Sequence, residues 1–152
     1  MMNRRQLAPI LAALTLATAT LSPVVLAAPA VASADAEEKV VYHINDSANA
    51  IAAMRNVGNH IDASPKVKIV VVTHSQGIDF LLADAKDKNG NPYEPIVQRL
   101  KDKGVDFRVC NNTLVSRKID ASKVIAEASI VPSGVAEIGR LQSKEGYAYL
   151  KP

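Results

Sequence analysis

The chain has 152 residues, 48% hydrophobic but only 4% aromatic, with no tryptophan, one cysteine and a formal net charge of +3. The first 34 residues hold Arg4, Arg5 and no acidic group, so without them 18 basic residues fall to 16 against 15 acidic, a net charge of +1. That balance, with no cluster of Lys and Arg interleaved with aromatics, argues against nucleic-acid binding, and a single cysteine excludes an internal disulfide.

Arg4 and Arg5 form a short basic head, Leu7 to Leu21 is an Ala- and Leu-rich apolar run, and small residues follow through Val31-Ala32-Ser33-Ala34. This is the layout of a secretory signal, with cleavage expected after Ala34 and before Asp35. The run is broken by Pro9, Pro23 and Pro29 and is short for a spanning helix of about 20 apolar residues, so no membrane association is expected after cleavage. The expected organisation is a signal peptide over 1–34 and one domain over 35–152, the size of an ordinary single core. The expected address is periplasmic.

Lys39 to Ile44 is a β-branched run that ends at the capping residues Asn45-Asp46-Ser47. Ile51, Met54, Val57 and Ile61 then recur at spacings of three and four, one stripe of a helix that Ser64-Pro65 ends. Val67 to Thr73 predicts a second strand, apolar enough to be buried on both faces. Ile78, Leu81, Leu82 and Ala85 predict a helix, followed by the turn cluster Lys88-Asn89-Gly90-Asn91-Pro92 and a helix from Pro95 to Gly104. Val105 to Cys110 predicts the third strand, Asn111-Asn112-Thr113 caps a short helix carrying Leu114, Val115 and Ile119, and Ala128 to Val131 predicts the fourth strand. Pro132-Ser133 opens a helix with Val135, Ile138 and Leu141 that Gly146 ends, and Tyr147 to Leu150 is a short last strand.

Strands alternating with helices predict an α/β fold, a three-layer α/β/α sandwich around a mainly parallel five-stranded sheet. Ligands in such sheets gather at the carboxyl ends of strands, beside the following helix N-termini. The segments to search are therefore Asn45-Asp46, His74 to Gly77, Cys110 to Thr113 and Pro132 to Gly134.

Cys110 falls on one such end. A thiolate there faces unpaired N–H groups, an arrangement that lowers a cysteine pKa and makes a nucleophile. The Asn112 and Thr113 N–H groups are the expected donors, and Arg108, two residues earlier on the strand, adds positive potential if both side chains emerge at that edge. The other reading is a buried cysteine acting as a small hydrophobe. His74 closes the second strand and is a candidate base or anion partner, with Gln76 in the same turn a further binding candidate. Three scattered histidines and one cysteine lack metal-ligand spacing, so no metal is expected. No phosphate-binding loop, dinucleotide fingerprint or serine nucleophile elbow is present, and no cofactor is expected.

Three stretches carry a family resemblance: Val70 to Gly77, Gly104 to Leu114 and Ile130 to Ile138. With the order of elements over about residues 39 to 151, they resemble the DsrE-like family, the group that includes DsrE, TusD and the YchN-like proteins. The resemblance implies a five-stranded α/β/α fold and a homo-oligomer, a trimer or hexamer. For members with a cysteine where Cys110 stands, it implies transfer of sulfane sulfur between protein thiols as a persulfide. A protein of this kind is a sulfur carrier with a thiol protein as donor or acceptor, rather than a conventional enzyme. Two alternatives stand beside it: a non-catalytic oligomeric module that binds a small anion or partner protein, and a thiol redox sensor.

Overall fold

A computed structural model of the protein describes residues 37–152; the expected signal segment and its cleavage point lie outside them. Five strands, β1 (Lys39–Ile44), β2 (Lys68–Thr73), β3 (Asp106–Cys110), β4 (Ala128–Val131) and β5 (Ala148–Leu150), form one sheet in the order β4-β3-β2-β1-β5. Every pairing is parallel, so each strand delivers its carboxyl end to the same edge of the sheet. The α-helices among the described residues are α1 (Ala50–Ala63), α2 (Glu94–Asp102), α3 (Asn111–Ser116) and α4 (Gly134–Glu145).

The alternation of side chains along a strand sorts the sheet into two unequal faces. Val40, Tyr42, Ile44, Ile69, Val71, Phe107 and Val109 share the main core with Met54 and Val57 of α1, Val97 and Leu100 of α2 and Leu114 of α3. On the opposite face Val41, Val70 and Val72 pack on Ile138 and Leu141 of α4, with Tyr147 beside them. The central strand β2 is thus buried from both sides, as its run of Ile69 to Val72 predicts.

Two local expectations need correction. The predicted helix through Ile78 and Ala85 is a 3-10 turn over Ser75–Leu81. Ile78 and Leu81 still face the core, because a three-residue repeat serves that turn as well as an α-helix. Beyond it the chain is claimed by a distant segment: Leu82 bridges Val124, and Ala83 N–H donates to the Lys123 carbonyl at 2.7 Å. Val115, expected on the apolar side of α3, is 68% exposed, since α3 ends at Ser116 before a second inward turn forms.

Candidate functional site

The parallel sheet brings the ends of β1, β2 and β3 and the N-terminus of α4 together at one edge. Cys110 is the last residue of β3, paired with Val131 of β4, and α3 starts at the next residue. Its thiol is free and only 4% exposed. Ser133 caps α4 by accepting from Ala136 N–H at 3.3 Å, and Gly134, the first residue of that helix, lies against the cysteine. A Cβ on Gly134 would stand 3.1 Å from Cys110 Cβ, 3.1 Å from the Thr73 carbonyl oxygen and 3.4 Å from His74 Cβ. A side chain here would require these neighbours to give by a few tenths of an ångström.

Cys110 thus lies where the starts of α3 and α4 meet. Burial of Cys110 opposes ionisation, but the Gly134 N–H, the Thr113 hydroxyl and N–H and the Asn112 N–H outweigh it and hold the thiol below its ordinary value. Thr113 Oγ1 itself accepts from Ser75 N–H at 3.0 Å. The Asn112 N–H is shared with the Pro132 carbonyl at 3.3 Å and is the weakest of the set. No carboxylate or imidazole hydrogen-bonds to Sγ among the described residues. These surroundings favour ionisation of the thiol relative to its free value.

Of the sequence candidates, Cys110, Thr113 and the backbone of Asn112 come together. His74 adjoins them through Gly134 but spends both ring nitrogens elsewhere. Its Nδ1 pairs with Ser75 Oγ at 2.9 Å, and its Nε2 lies 2.6 Å from Nε2 of His43. Gln76 is exposed in the turn and makes no hydrogen bond with this cluster. Arg108 shares the face of Cys110 but does not reach the sulfur. Its guanidinium is bound to Asp106 at 2.6 Å and to Glu137 of α4, which Arg140 also holds at 2.7 Å. The positive charge expected to act on the thiolate is thereby neutralised. Among the described residues no group of three or more His, Cys, Asp or Glu is placed to hold a metal ion.

Ser75 and Gly134 come from segments singled out in the sequence, whereas His43 and Tyr149 extend the site beyond them. His43 Nδ1 pairs with Tyr149 Oη at 2.6 Å, so a chain of contacts runs from β5 through His43 and His74 to Ser75. Burial, then the neighbouring His74, then the Lys151 ammonium push His43 down to about 4. Burial and Lys151 lower His74 as well. His43 is neutral at pH 7, and its 2.6 Å Nε2–Nε2 contact with His74 requires one ring to donate and the other to accept.

An NMR titration is expected to place the His43 ring transition near pH 4. Because the fold favours the neutral ring relative to the unfolded chain, at about 6.5, stability falls as pH drops from there toward the folded value. His43→Gln should lose less stability over that interval. A His43 transition at the ordinary value would contradict the closed pair.

Fold and site together define a parallel α/β domain whose lone cysteine ends β3 beside the starts of α3 and α4. The model of the DsrE/DsrF-like family matches residues 10–152. The chain belongs to that family, which is implicated in sulfur relay. Among solved structures, MTH1491 from Methanobacterium thermoautotrophicum, described as a protein of unknown function, is 32% identical with a TM-score of 0.68. The ychN protein from E. coli has a TM-score of 0.64 at 14% identity and shows likeness of fold alone. Each covers 76% of this chain and 99% of its own. No curated protein matches the chain.

Proposed function

We propose that the protein is exported by its 1–34 segment to the periplasm and handles sulfane sulfur through a persulfide on Cys110. The observation that carries this reading is the ring of donors from two helix starts around one sulfur, which favours an anionic sulfur at that position. In the step proposed, the Cys110 thiolate attacks the terminal sulfur of a donor persulfide. The donor's S–S bond breaks, its thiolate leaves, and a new S–S bond joins that sulfur to Cys110. Charge is conserved and no external oxidant is consumed. Delivery to an acceptor thiol repeats the exchange in reverse. With Cys110 4% exposed, a thiol protein would have to present its sulfur end-on. The family resemblance implies a homo-oligomer, a trimer or hexamer, and the exposed apolar side chains Val115 and Val135, 68% and 66% accessible, are available for such a contact.

The burial of Cys110 also favours a second reading, a non-catalytic oligomeric module in which the thiol only lines a pocket. A thiol sensor, forming a sulfenic acid or an intermolecular disulfide, would share the acidic thiol but carry no sulfur adduct. One experiment separates the three: alkylation of native 35–152 against pH, with intact mass after exposure to a low-molecular-weight persulfide. The carrier reading expects a thiol titrating below about 8.5 and a gain of one sulfur atom that Cys110→Ser abolishes. Reaction only after unfolding would remove the carrier and leave the module. An acidic thiol that never retains sulfur would leave the sensor.

A further inference from the structure

We propose that the cleft between α1 and the turn before α2 binds a small organic carboxylate with an apolar body. Tyr93 and Arg55 supply the donors for its head, and Ala48, Ile51 and Ala52 take the body. The cleft shares no residue with the Cys110 cluster, and this site is independent of what the thiol does.

The chain builds the two walls separately. Ala48 lies in the 3-10 turn Ser47–Asn49, and Ile51, Ala52 and Arg55 follow in α1 at spacings that keep them on one face. Ile51 packs against the main core, while Ala48 and Ala52 are exposed and short. This wall is apolar and leaves room beside it. The facing wall is the turn of Asp87, Lys88 and Asn89. Lys86 bridges Pro92, and Gly90 N–H donates to the Asp87 carbonyl at 2.9 Å with Gly90 at φ 83. The turn is closed on itself, so the cleft is formed before a ligand arrives. Its volume is about 530 Å³, inside the range of roughly 300 to 1,000 Å³ for small-molecule sites.

Tyr93 is the residue that points to a ligand. It is 8% exposed, with its ring in the main core and edge-on to Phe80 at 5.8 Å. Buried tyrosine hydroxyls ordinarily find a partner. Tyr42 and Tyr149 bond histidines at 3.0 and 2.6 Å, whereas Tyr93 Oη has no hydrogen bond among the described residues. It is not sealed in the core either, since the enclosed side-chain atom left without a partner is Glu127 Oε2. The ring is inside, and the hydroxyl is the end that opens on the cleft. Burial, then the nearby Asp87, raise its pKa, so it offers a proton at neutral pH.

The charges of the lining set the sign of the ligand. Arg55 and Lys88 form no ion pair among the described residues. Asp87 is the carboxylate of the lining, and its own turn occupies it. Oδ1 accepts from the Asn89 and Asn91 N–H groups, both at 2.8 Å, and Oδ2 from Asn91 Nδ2 at 3.1 Å. Two cations against one engaged carboxylate favour an anion, and a planar guanidinium matches a carboxylate with two parallel bonds. An apolar body over Ile51 and the two alanines adds burial that a bare inorganic anion lacks.

The test is a titration of the isotope-labelled full chain with octanoate, read from backbone amide shifts. Saturable shifts are expected at Ala48, Ile51, Ala52 and Asn89. Acetate has the same head without the body, and octylammonium the same body with the opposite charge. Each should bind roughly tenfold more weakly or worse. Tyr93→Phe keeps the ring on Phe80 and removes the hydroxyl, and Arg55→Gln removes an exposed charge. Each loses a hydrogen bond to a charged group, roughly a tenfold fall in octanoate affinity. Ala52→Leu fills the cleft from an exposed position and should abolish binding.

Shifts that never saturate or fall elsewhere, or equal affinity for acetate or octylammonium, would overturn the proposal. Unchanged octanoate affinity in any of the three variants would do the same. Arg55 and Ala52 are exposed, so their variants decide the matter if Tyr93→Phe does not fold.

Discussion

Gly77→Ala is expected to destabilise the domain by about 3 kcal/mol, at the upper end of what overpacking costs. An alanine Cβ at this position would lie 2.1 Å from the Ile44 carbonyl oxygen, 2.6 Å from its carbon and 2.7 Å from Asn45 Cα. All three atoms are backbone at the end of β1, so no side chain can swing aside. Relief requires lifting the 3-10 turn, and that turn carries Ile78, Phe80 and Leu81 into the main core. It would also strain the bond from His74 N–H to the Ile44 carbonyl, already 3.3 Å long. Urea unfolding should show it directly. With a slope of about 1 to 2 kcal/mol per M for a small domain, the midpoint drops by roughly 2 M. Gly58→Ala in α1 is the control, because nothing lies within 4 Å of its Cβ position. Helix propensity alone should raise stability there by about 0.5 to 1 kcal/mol. Equal midpoints for the two variants would show that the turn moves freely over β1.

The same turn marks the boundary of what was legible in the residues alone. The strands were legible because β-branched runs separated by caps and turns carry their own signal, and β2 needed no more than its run of valines. The stripe of α1 was legible for the same reason, and Met54 and Val57 are buried where it points. Residues 78–85 misled because a repeat of three and four fits an α-helix and a 3-10 turn alike. What ends the helical tendency there is a left-handed Asp84 at φ 62 and pairing with Val124 some forty residues on.

The site divides in the same way. Placing Cys110 at a strand end needs only local pattern, whereas its surroundings come from afar. The Gly134 N–H arrives from the next crossover helix, and in isolation Ser133-Gly134 reads as an ordinary cap. Arg108 sits two residues before the cysteine on the same face, yet its partner Glu137 is also supplied by α4. His43 and His74 are unremarkable within their own strands and meet only because β1 and β2 pair in register. Long-range partners decide each charge in this cluster, and a periodicity carries no record of them.

Gly134→Val is expected to raise the Cys110 pKa most, because the Gly134 N–H is first among the donors that lower it. Its Cβ would press on Cys110 Cβ and on the Thr73 carbonyl, each at 3.1 Å, and the branched methyls would force the α4 N-terminus outward. The N–H leaves the sulfur with it. Loss of a hydrogen bond to a charged group corresponds to a tenfold or greater fall in thiolate at neutral pH, about 1.5 to 3 kcal/mol. The pH midpoint of alkylation is the quantity to read, since an outward shift of α4 also opens the sulfur to reagent and changes the rate for that separate reason. Stability gives a second reading. A thiol whose folded pKa lies below its unfolded value stabilises the fold above the unfolded value, and that contribution disappears as pH falls through the folded one. Wild-type stability relative to Cys110→Ala should therefore rise with pH up to about 8.5, and the rise should shrink in Gly134→Val. An unchanged midpoint together with an unchanged slope would assign the acidity of Cys110 to α3 and Thr113 alone.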